Sequence, residues 1–346
     1  MKKNNYYILI IFFICVTLHS FAAQAGSNRN MQAEATGSIR VMCYNIHHCD
    51  PPYNTGEATE IDTIIGVIKK QNPDIVALQE VDVYTTRSGS NVHQAKIIAE
   101  RLGMNWFFAP TINYQGGKYG VAILSKFPLS ENNLLELPRP DTSGEKRVLA
   151  TSKITLPNGA TLRVGCTHLD LKPVNRQEQI NKINEVALAD NLPFIITGDF
   201  NAVEGSVVIN RLDQVFTRTC TNCPPTSPAR NPKNTIDFIA YRDIQNHLSL
   251  ANHQVVNETY ASDHRPVVAD FNYVMEPSAV IAPESVPFKK LGRKLTTDQP
   301  TDIVIYNLLG VVILRQKSVT SIDIPAHVGN GIFLVSTTRG KQKIQL

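Results

Sequence analysis

Residues 194–202 read F-I-I-T-G-D-F-N-A, and this stretch decides how the rest of the chain is interpreted. Its three leading apolar residues, two of them β-branched, are typical of a buried central strand. Asp199 and Asn201 follow Gly198 and lie two residues apart, so extended chain points them the same way. Open α/β sheets bind ligands just beyond their strand ends. We therefore predict a strand that delivers polar groups to a site, with a strand ending in an Asx-turn as the plain alternative.

Polar residues also end or interrupt other apolar runs that read as strands. They are Asn45, Glu80, His168, Asp237 inside the run 235–241, and Asp263 with His264. An Asp between Ile236 and Phe238 needs a partner, because burial of an unpaired charge is costly, and a histidine is the natural candidate. Any single one of these residues could be a cap or a turn. The whole set predicts one polar site at an edge of the fold.

Hydrolysis of a phosphoester is the chemistry that suits this set. The charge on phosphoryl oxygens calls for a hard divalent cation and for hydrogen-bond donors. Oxygen ligands favour Mg²⁺ or Mn²⁺ over zinc, and no Cys/His cluster occurs at zinc spacing. An attacking water needs a base, and the leaving oxygen can need an acid. Two histidines that carboxylates can orient suit the roles of base and acid. The set is compatible with either one or two metal ions.

The order of predicted elements favours an α/β sandwich in which helices cover both sheets. Helical spacing occurs in 61–71, 92–102 and 176–190, and a hairpin is predicted across P-N-G at 157–159. We expect a catalytic domain over 26–275, because the composition then changes. Residues 276–300 are rich in Pro, Ser, Lys and Thr and predict a linker. Residues 301–346 alternate apolar and polar side chains and predict a small all-β module.

The N-terminus predicts export. Lys2 and Lys3 precede the apolar run 7–18, and an A-x-A site ends at Ala25, so 1–25 reads as a cleaved signal peptide. A buried helix or a membrane anchor is the alternative, but the run is too short to span a bilayer comfortably. In an exported protein, Cys220 and Cys223 could close a short disulfide.

Charge argues weakly against a dedicated nuclease. Residues 26–275 contain 23 Lys and Arg against 25 Asp and Glu, a net charge of −2. Such a domain has no bulk positive field for nucleic acid.

Seven motifs follow one another along the chain: Y-N-I, L-Q-E-V-D, Y-G-V-A-I-L-S, T-H-L-D, G-D-F-N, I-D-F-I and S-D-H-R-P-V. Their sequence and order are similar to those of the endonuclease/exonuclease/phosphatase superfamily. Residues 40–273 thus resemble that family, which implies a four-layer α/β/β/α sandwich. The resemblance also implies roles for individual residues. It implies metal ligands at Asn45, Glu80 and Asp263, catalytic residues at His168, Asp199, Asn201, Asp237 and His264, and substrate contacts at Tyr119 and Arg147.

The C-terminal motifs V-I-Y-N-L-L-G, G-I-F-L-V and K-Q-K-I-Q-L are similar to sorting domains of type IX secretion cargo. This resemblance implies contact with export machinery and a location at the cell surface or in the medium, with the periplasm as the alternative. A plain accessory β domain is the other interpretation. We expect a secreted monomeric phosphoesterase without a stable protein partner, acting on a phospholipid or small phosphodiester. A secreted DNase and a catalytically silent binding protein are the alternatives.

Overall fold

Two six-stranded sheets contain most of the strands in the computed structural model, which describes residues 35–53, 56, 59–244, 247–275, 288–307, 312–337 and 340–346. In spatial order the first sheet consists of β11 (Leu248–Val255), β12 (Val267–Met275), β1 (Ala35–Asn45), β2 (Ile75–Val83), β4 (Gly117–Ser125) and β3 (Asn105–Tyr114). The second consists of β5 (Leu129–Glu136), β6 (Val148–Thr155), β7 (Thr161–His168), β8 (Phe194–Asp199), β10 (Asp237–Arg242) and β9 (Thr217–Arg218). The α-helices in this described part are α1 (Ile61–Gln71), α2 (Gln94–Leu102), α3 (Pro173–Ala189) and α4 (Val207–Leu212).

Three apolar layers hold the sheets and helices together. Successive strand residues face opposite sides of a sheet, so Ile195 joins the core between the two sheets while Phe194 and Ile196 pack outward against α3 and α4. In the first sheet Met42 and Tyr44 likewise face outward, toward α1 and α2. Helices therefore cover both outer faces, and the predicted four-layer α/β/β/α sandwich is confirmed.

Each sheet contains a parallel strand pair joined by a helix. β1 and β2 are linked through α1, and β7 and β8 through α3. The register places Asn45 beside Gln79 in one sheet and His168 beside Asp199 in the other. Parallel strands end at the same edge, so side chains from both pairs converge there. The fold thus brings distant segments of the chain to one edge of the sandwich.

An all-β module follows. Its sheet consists of β13 (Phe288–Leu291), β14 (Lys294–Tyr306), β15 (Val312–Asp323), β16 (Ile332–Thr337) and β17 (Gly340–Gln345). It has its own apolar core, which includes Leu295, Ile305 and Val335. The sheet begins at Phe288, within the range 276–300 that the sequence assigns to a linker. Residues 276–287 lie outside the described residues.

Two further expectations concern export. The predicted signal peptide, 1–25, lies outside the described residues. Cys220 and Cys223 form a disulfide, as the sequence suggested for an exported chain. Across the described segments, none of the helices has the length and apolar character needed to cross a membrane.

Candidate active site

Glu80 projects into the site from a bulge in β2. The pairing of β2 with β4 shifts register between Leu78 and Val81, and Glu80 has a left-handed backbone with φ 58°. A bulge re-aims a side chain within a strand. The sequence predicted that the strand ends at Glu80, but β2 continues to Val83. That expectation was wrong because an apolar run does not encode a register shift.

Asn45, at the end of β1, connects the two principal carboxylates. Its Nδ2 donates to Glu80 Oε1 and to Asp199 Oδ2, each at 3.1 Å, and its Oδ1 accepts from the backbone N–H of His47 at 3.1 Å. Asn45 therefore fixes the spacing between Glu80 and Asp199. Burial opposes ionisation of Glu80, but the neighbouring His48 and Asn45 side chains hold its pKa well below the usual range.

Asp199 lies at the centre of the site and is almost fully buried. Its Oδ2 is 3.5 Å from His168 Nε2 and 3.7 Å from His264 Nε2. Its Oδ1 accepts from the backbone N–H of Asn201 at 2.9 Å. Burial and the nearby Asp237 carboxylate raise the pKa of Asp199, against the opposing effect of His264. A carboxylate with a raised pKa can accept a proton near neutral pH.

Asp237 has the histidine partner that its burial predicted. His264 Nδ1 donates to Asp237 Oδ2 at 2.8 Å, and Thr226 Oγ1 donates to the same oxygen at 2.6 Å. Asp237 begins β10; the sequence placed it inside that strand. Burial opposes a charge on His264, but Asp237 and Asp199 raise the pKa of His264 to about 10. The imidazole is therefore a cation at neutral pH.

His168 differs from His264. Burial, together with the nearby Arg147, lowers the pKa of His168 well below its ordinary value. Its Nδ1 is buried without a hydrogen-bond partner in the described residues. The site thus holds a neutral imidazole and a cationic imidazole, both close to Oδ2 of Asp199.

The remaining predicted residues lie around this centre. Asn201 has φ 47°, and its backbone N–H, which donates to Asp199 Oδ1, positions that carboxylate, while its Nδ2 donates to the Leu169 carbonyl at 2.9 Å. Arg147 is buried, with Nη2 3.3 Å from Glu145 Oε1. Burial and the nearby Glu80 carboxylate raise the pKa of Tyr119. Tyr119 and Arg147, for which substrate contacts were predicted, therefore both adjoin the site.

Asp263 lies somewhat apart from the other acidic groups. Its Oδ1 accepts from Ser262 Oγ at 3.4 Å, while Ser262 Oγ also donates to the Asn45 carbonyl at 2.7 Å. Among the described residues, the groups whose ligand atoms converge closely enough for one metal ion do not include Asp263.

Two such groups do adjoin the site. We call His47, His48 and Glu80 the Glu80 cluster, and Asp199, Asp237 and His264 the Asp199 cluster. A cationic imidazole has no lone pair for a metal, so the charge on His264 disfavours the Asp199 cluster as a metal site. Glu80 is ionised and its Oε2 faces His48 Nδ1, so the donors present fit a divalent cation at the Glu80 cluster.

Sequence reasoning missed four contributors: His47, His48, Thr226 and Ser262. The two histidines directly follow the Y-N-I motif, and that position was the available signal. Thr226 and Ser262 act through hydrogen bonds that only the folded chain forms.

The chain belongs to the endonuclease/exonuclease/phosphatase family, whose model matches residues 42–264. Enzymes of this family are hydrolases acting on phosphoester bonds, and they generally use divalent metals. The uncharacterized protein YbhP of Escherichia coli strain K12 is 26% identical in an alignment 253 residues long that covers 68% of this chain and 96% of YbhP.

Solved structures share the fold. An endonuclease/exonuclease/phosphatase from Beutenbergia cavernae is 17% identical, with a TM-score of 0.59 over 89% of this chain and 100% of that chain. The mannosyl-6-phosphatase of Bacteroides thetaiotaomicron is 17% identical, with a TM-score of 0.53 over 67% of this chain and 99% of that chain. At these identities the likeness concerns the fold alone.

Proposed function

We propose that this protein is a metal-dependent phosphoesterase that hydrolyses phosphodiester or phosphomonoester bonds with an activated water. The observation that carries this proposal is that the neutral His168 and the cationic His264 both lie close to Oδ2 of the Asp199 carboxylate. Neighbouring groups whose pKa values are driven apart indicate acid and base roles.

Different side chains of the site have different roles in the proposed hydrolysis. Asp199, held by Asn45 and Asn201, takes the proton of a water placed beside it. His264, held by Asp237, donates a hydrogen bond to a phosphoryl oxygen and stabilises the negative charge that develops there. Glu80 would hold a divalent cation, which would supply additional positive charge beside the phosphoryl group. His168 and Arg147 also contact the phosphate.

A substrate with an apolar portion is our preferred class. Four aliphatic side chains are 44–69% exposed on the segments that follow the His168 and Asp199 strand ends: Leu171, Val174, Val203 and Val207. Exposed apolar groups near a site suit binding to a lipid surface better than binding to a polar polymer. Together with the net charge of −2, they support a phospholipid or small phosphodiester over DNA. A phosphorylated sugar is a further candidate, because the structurally similar Bacteroides thetaiotaomicron protein is a mannosyl-6-phosphatase.

Export is part of the proposal. The predicted signal peptide and the C-terminal motifs support secretion or display at the cell surface, with the all-β module contacting the export machinery. Deletion of 288–346 should leave the protein inside the producing cell envelope. Unchanged export of the shortened chain would reject the sorting role.

The test of activity is a substrate panel with purified protein and Mg²⁺. The panel contains sphingomyelin and phosphatidylcholine vesicles, inositol phosphates, mannose 6-phosphate, plasmid DNA and a chromogenic phosphodiester, with Asp199→Asn as the control. We expect hydrolysis that stops with EDTA and returns with Mg²⁺ or Mn²⁺. Ligand binding without turnover on any substrate would favour a silent binding protein. Activity that survives exhaustive chelation would reject the metal-dependent mechanism.

A further inference from the structure

The turn His47–Cys49 has an unusual backbone. Its three residues have φ values of 45°, 44° and 59°, a region that residues other than glycine rarely adopt. Such conformations persist only where surrounding contacts impose them, and they concentrate at functional sites. Gln94 Nε2 donates to the His48 carbonyl at 2.5 Å, and the Glu60 backbone N–H donates to the Cys49 carbonyl at 2.6 Å. These contacts hold two neighbouring imidazoles beside Glu80.

Asp50 lies beside both rings and orients that of His47. The Nδ1–H of His47 donates to the Asp50 carbonyl at 2.6 Å, which leaves Nε2 of His47 with its lone pair. Nε2 of His48 lies 3.7 Å from Asp50 Oδ2. Metal-binding histidines are commonly oriented through their second ring nitrogen by a carbonyl or carboxylate. The ring of His47 has such a partner, whereas the Asp50 carboxylate lies beside the ring of His48 but beyond hydrogen-bond distance.

One ring nitrogen of His48, the Nδ1 atom that faces Glu80, makes no hydrogen bond within the described chain. His48 is 8% exposed, and its Nδ1 is buried without a hydrogen-bond partner in the described chain. This atom lies 4.0 Å from Glu80 Oε2, too far for a hydrogen bond. In the Glu80 cluster one ligand atom from each residue lies within 4.8 Å of the others. Ligand bonds of about 2.0–2.2 Å let two donor atoms on one cation lie at most about 4.4 Å apart, and the 4.0 Å between His48 Nδ1 and Glu80 Oε2 is within that limit.

We propose that the Glu80 cluster binds a first-row transition-metal cation through the imidazoles of His47 and His48 and the carboxylate of Glu80. This inference rests on the proposed phosphoesterase and specifies its metal. Imidazole suits transition metals, whereas Mg²⁺ prefers oxygen ligands and keeps several waters. The cluster therefore binds Mn²⁺ more tightly than Mg²⁺, and the difference depends on the two histidines.

The test uses untagged full-length protein stripped of metal, titrated with Mn²⁺ and followed by electron paramagnetic resonance. Pulsed measurements detect ¹⁴N coupling from coordinated imidazole. We expect this coupling in the wild type, a reduced coupling in His48→Gln and in His47→Gln, and a Mn²⁺ Kd raised at least about tenfold in each. Mg²⁺ affinity, measured by competition, should change much less. His168→Gln and the exposed His327→Gln are matched controls that should keep the full coupling.

Near-UV circular dichroism of each variant establishes that the fold is retained, and two independent histidine variants guard against a misfolded one. Bound Mn²⁺ without ¹⁴N coupling in the wild type overturns the proposal, and so does coupling that only His168→Gln removes. In both cases Mn²⁺-dependent hydrolysis in the substrate panel would leave the phosphoesterase intact. Absence of both divalent-metal binding and hydrolysis would reject the phosphoesterase itself.

Discussion

The Glu80 cluster and the Asp199 cluster share one edge of the sandwich, yet their surroundings shift the pKa values of Glu80 and Asp199 in opposite directions. Glu80 is ionised because its polar neighbours outweigh burial, whereas burial and a second carboxylate raise the pKa of Asp199. Asn45 is hydrogen-bonded to both carboxylates, so they are close together but electrostatically distinct. The difference matches the roles proposed above, in which Glu80 holds a cation and Asp199 exchanges protons.

The largest expected effect comes from breaking the pair of Asp237 and His264. His264→Ala should lower kcat/KM by about 10²–10⁴, because the cationic donor to the phosphoryl oxygen is lost. Asp237→Asn should have a similar effect, because His264 loses the carboxylate that orients it and favours its charge. The double variant should be little worse than either single one, since the two residues act as a unit. Steady-state kinetics of all three proteins provide the check. Fully additive losses would show that the residues act separately.

A pH profile of kcat/KM sharpens the same comparison. Asp199 must be ionised, so activity should fall as pH decreases through its raised pKa. His264 must be protonated, so activity should fall again as pH rises through about 10. In Asp237→Asn the alkaline limb should move to lower pH, because one carboxylate that raises the pKa of His264 is gone. An alkaline limb that stays in place would contradict the assigned role of Asp237.

The smallest expected effect is that of removing the C-terminal module. The module has its own apolar core, and the residues of the site all lie in the two six-stranded sheets and their loops. A chain of residues 26–276 should therefore keep kcat/KM unchanged while losing only its location. Assay of this chain beside the full-length protein checks the claim. A soluble, folded but inactive product would mean that the module contributes to catalysis.

Much of this architecture follows from local sequence. The apolar run of β8 is buried at every residue, as predicted, and α1 has the predicted bounds 61–71 because its apolar side chains recur at helical spacing. The need for a partner at Asp237 also follows from desolvation alone. These features depend on neighbours along the chain, so one sequence is sufficient to predict them.

Features that depend on distant contacts were not predicted. β11 is mostly exposed and has no clear apolar periodicity, so its pairing with β12 left no local signal. The bulge at Glu80 depends on pairing with β4. The left-handed turn at His47–Cys49 depends on Gln94 and Glu60. In each case a tertiary contact determines the local backbone.

The most direct test of the division between the two clusters is a metal titration of Glu80→Gln and Asp199→Asn. Glu80→Gln keeps the side-chain size but removes the charge and one oxygen donor, so metal affinity should fall and excess Mg²⁺ or Mn²⁺ should restore part of the rate. Asp199→Asn removes the proton acceptor, so no concentration of metal should restore it. Rescue of Asp199→Asn by metal, without rescue of Glu80→Gln, would show that the two carboxylates have been assigned the wrong roles.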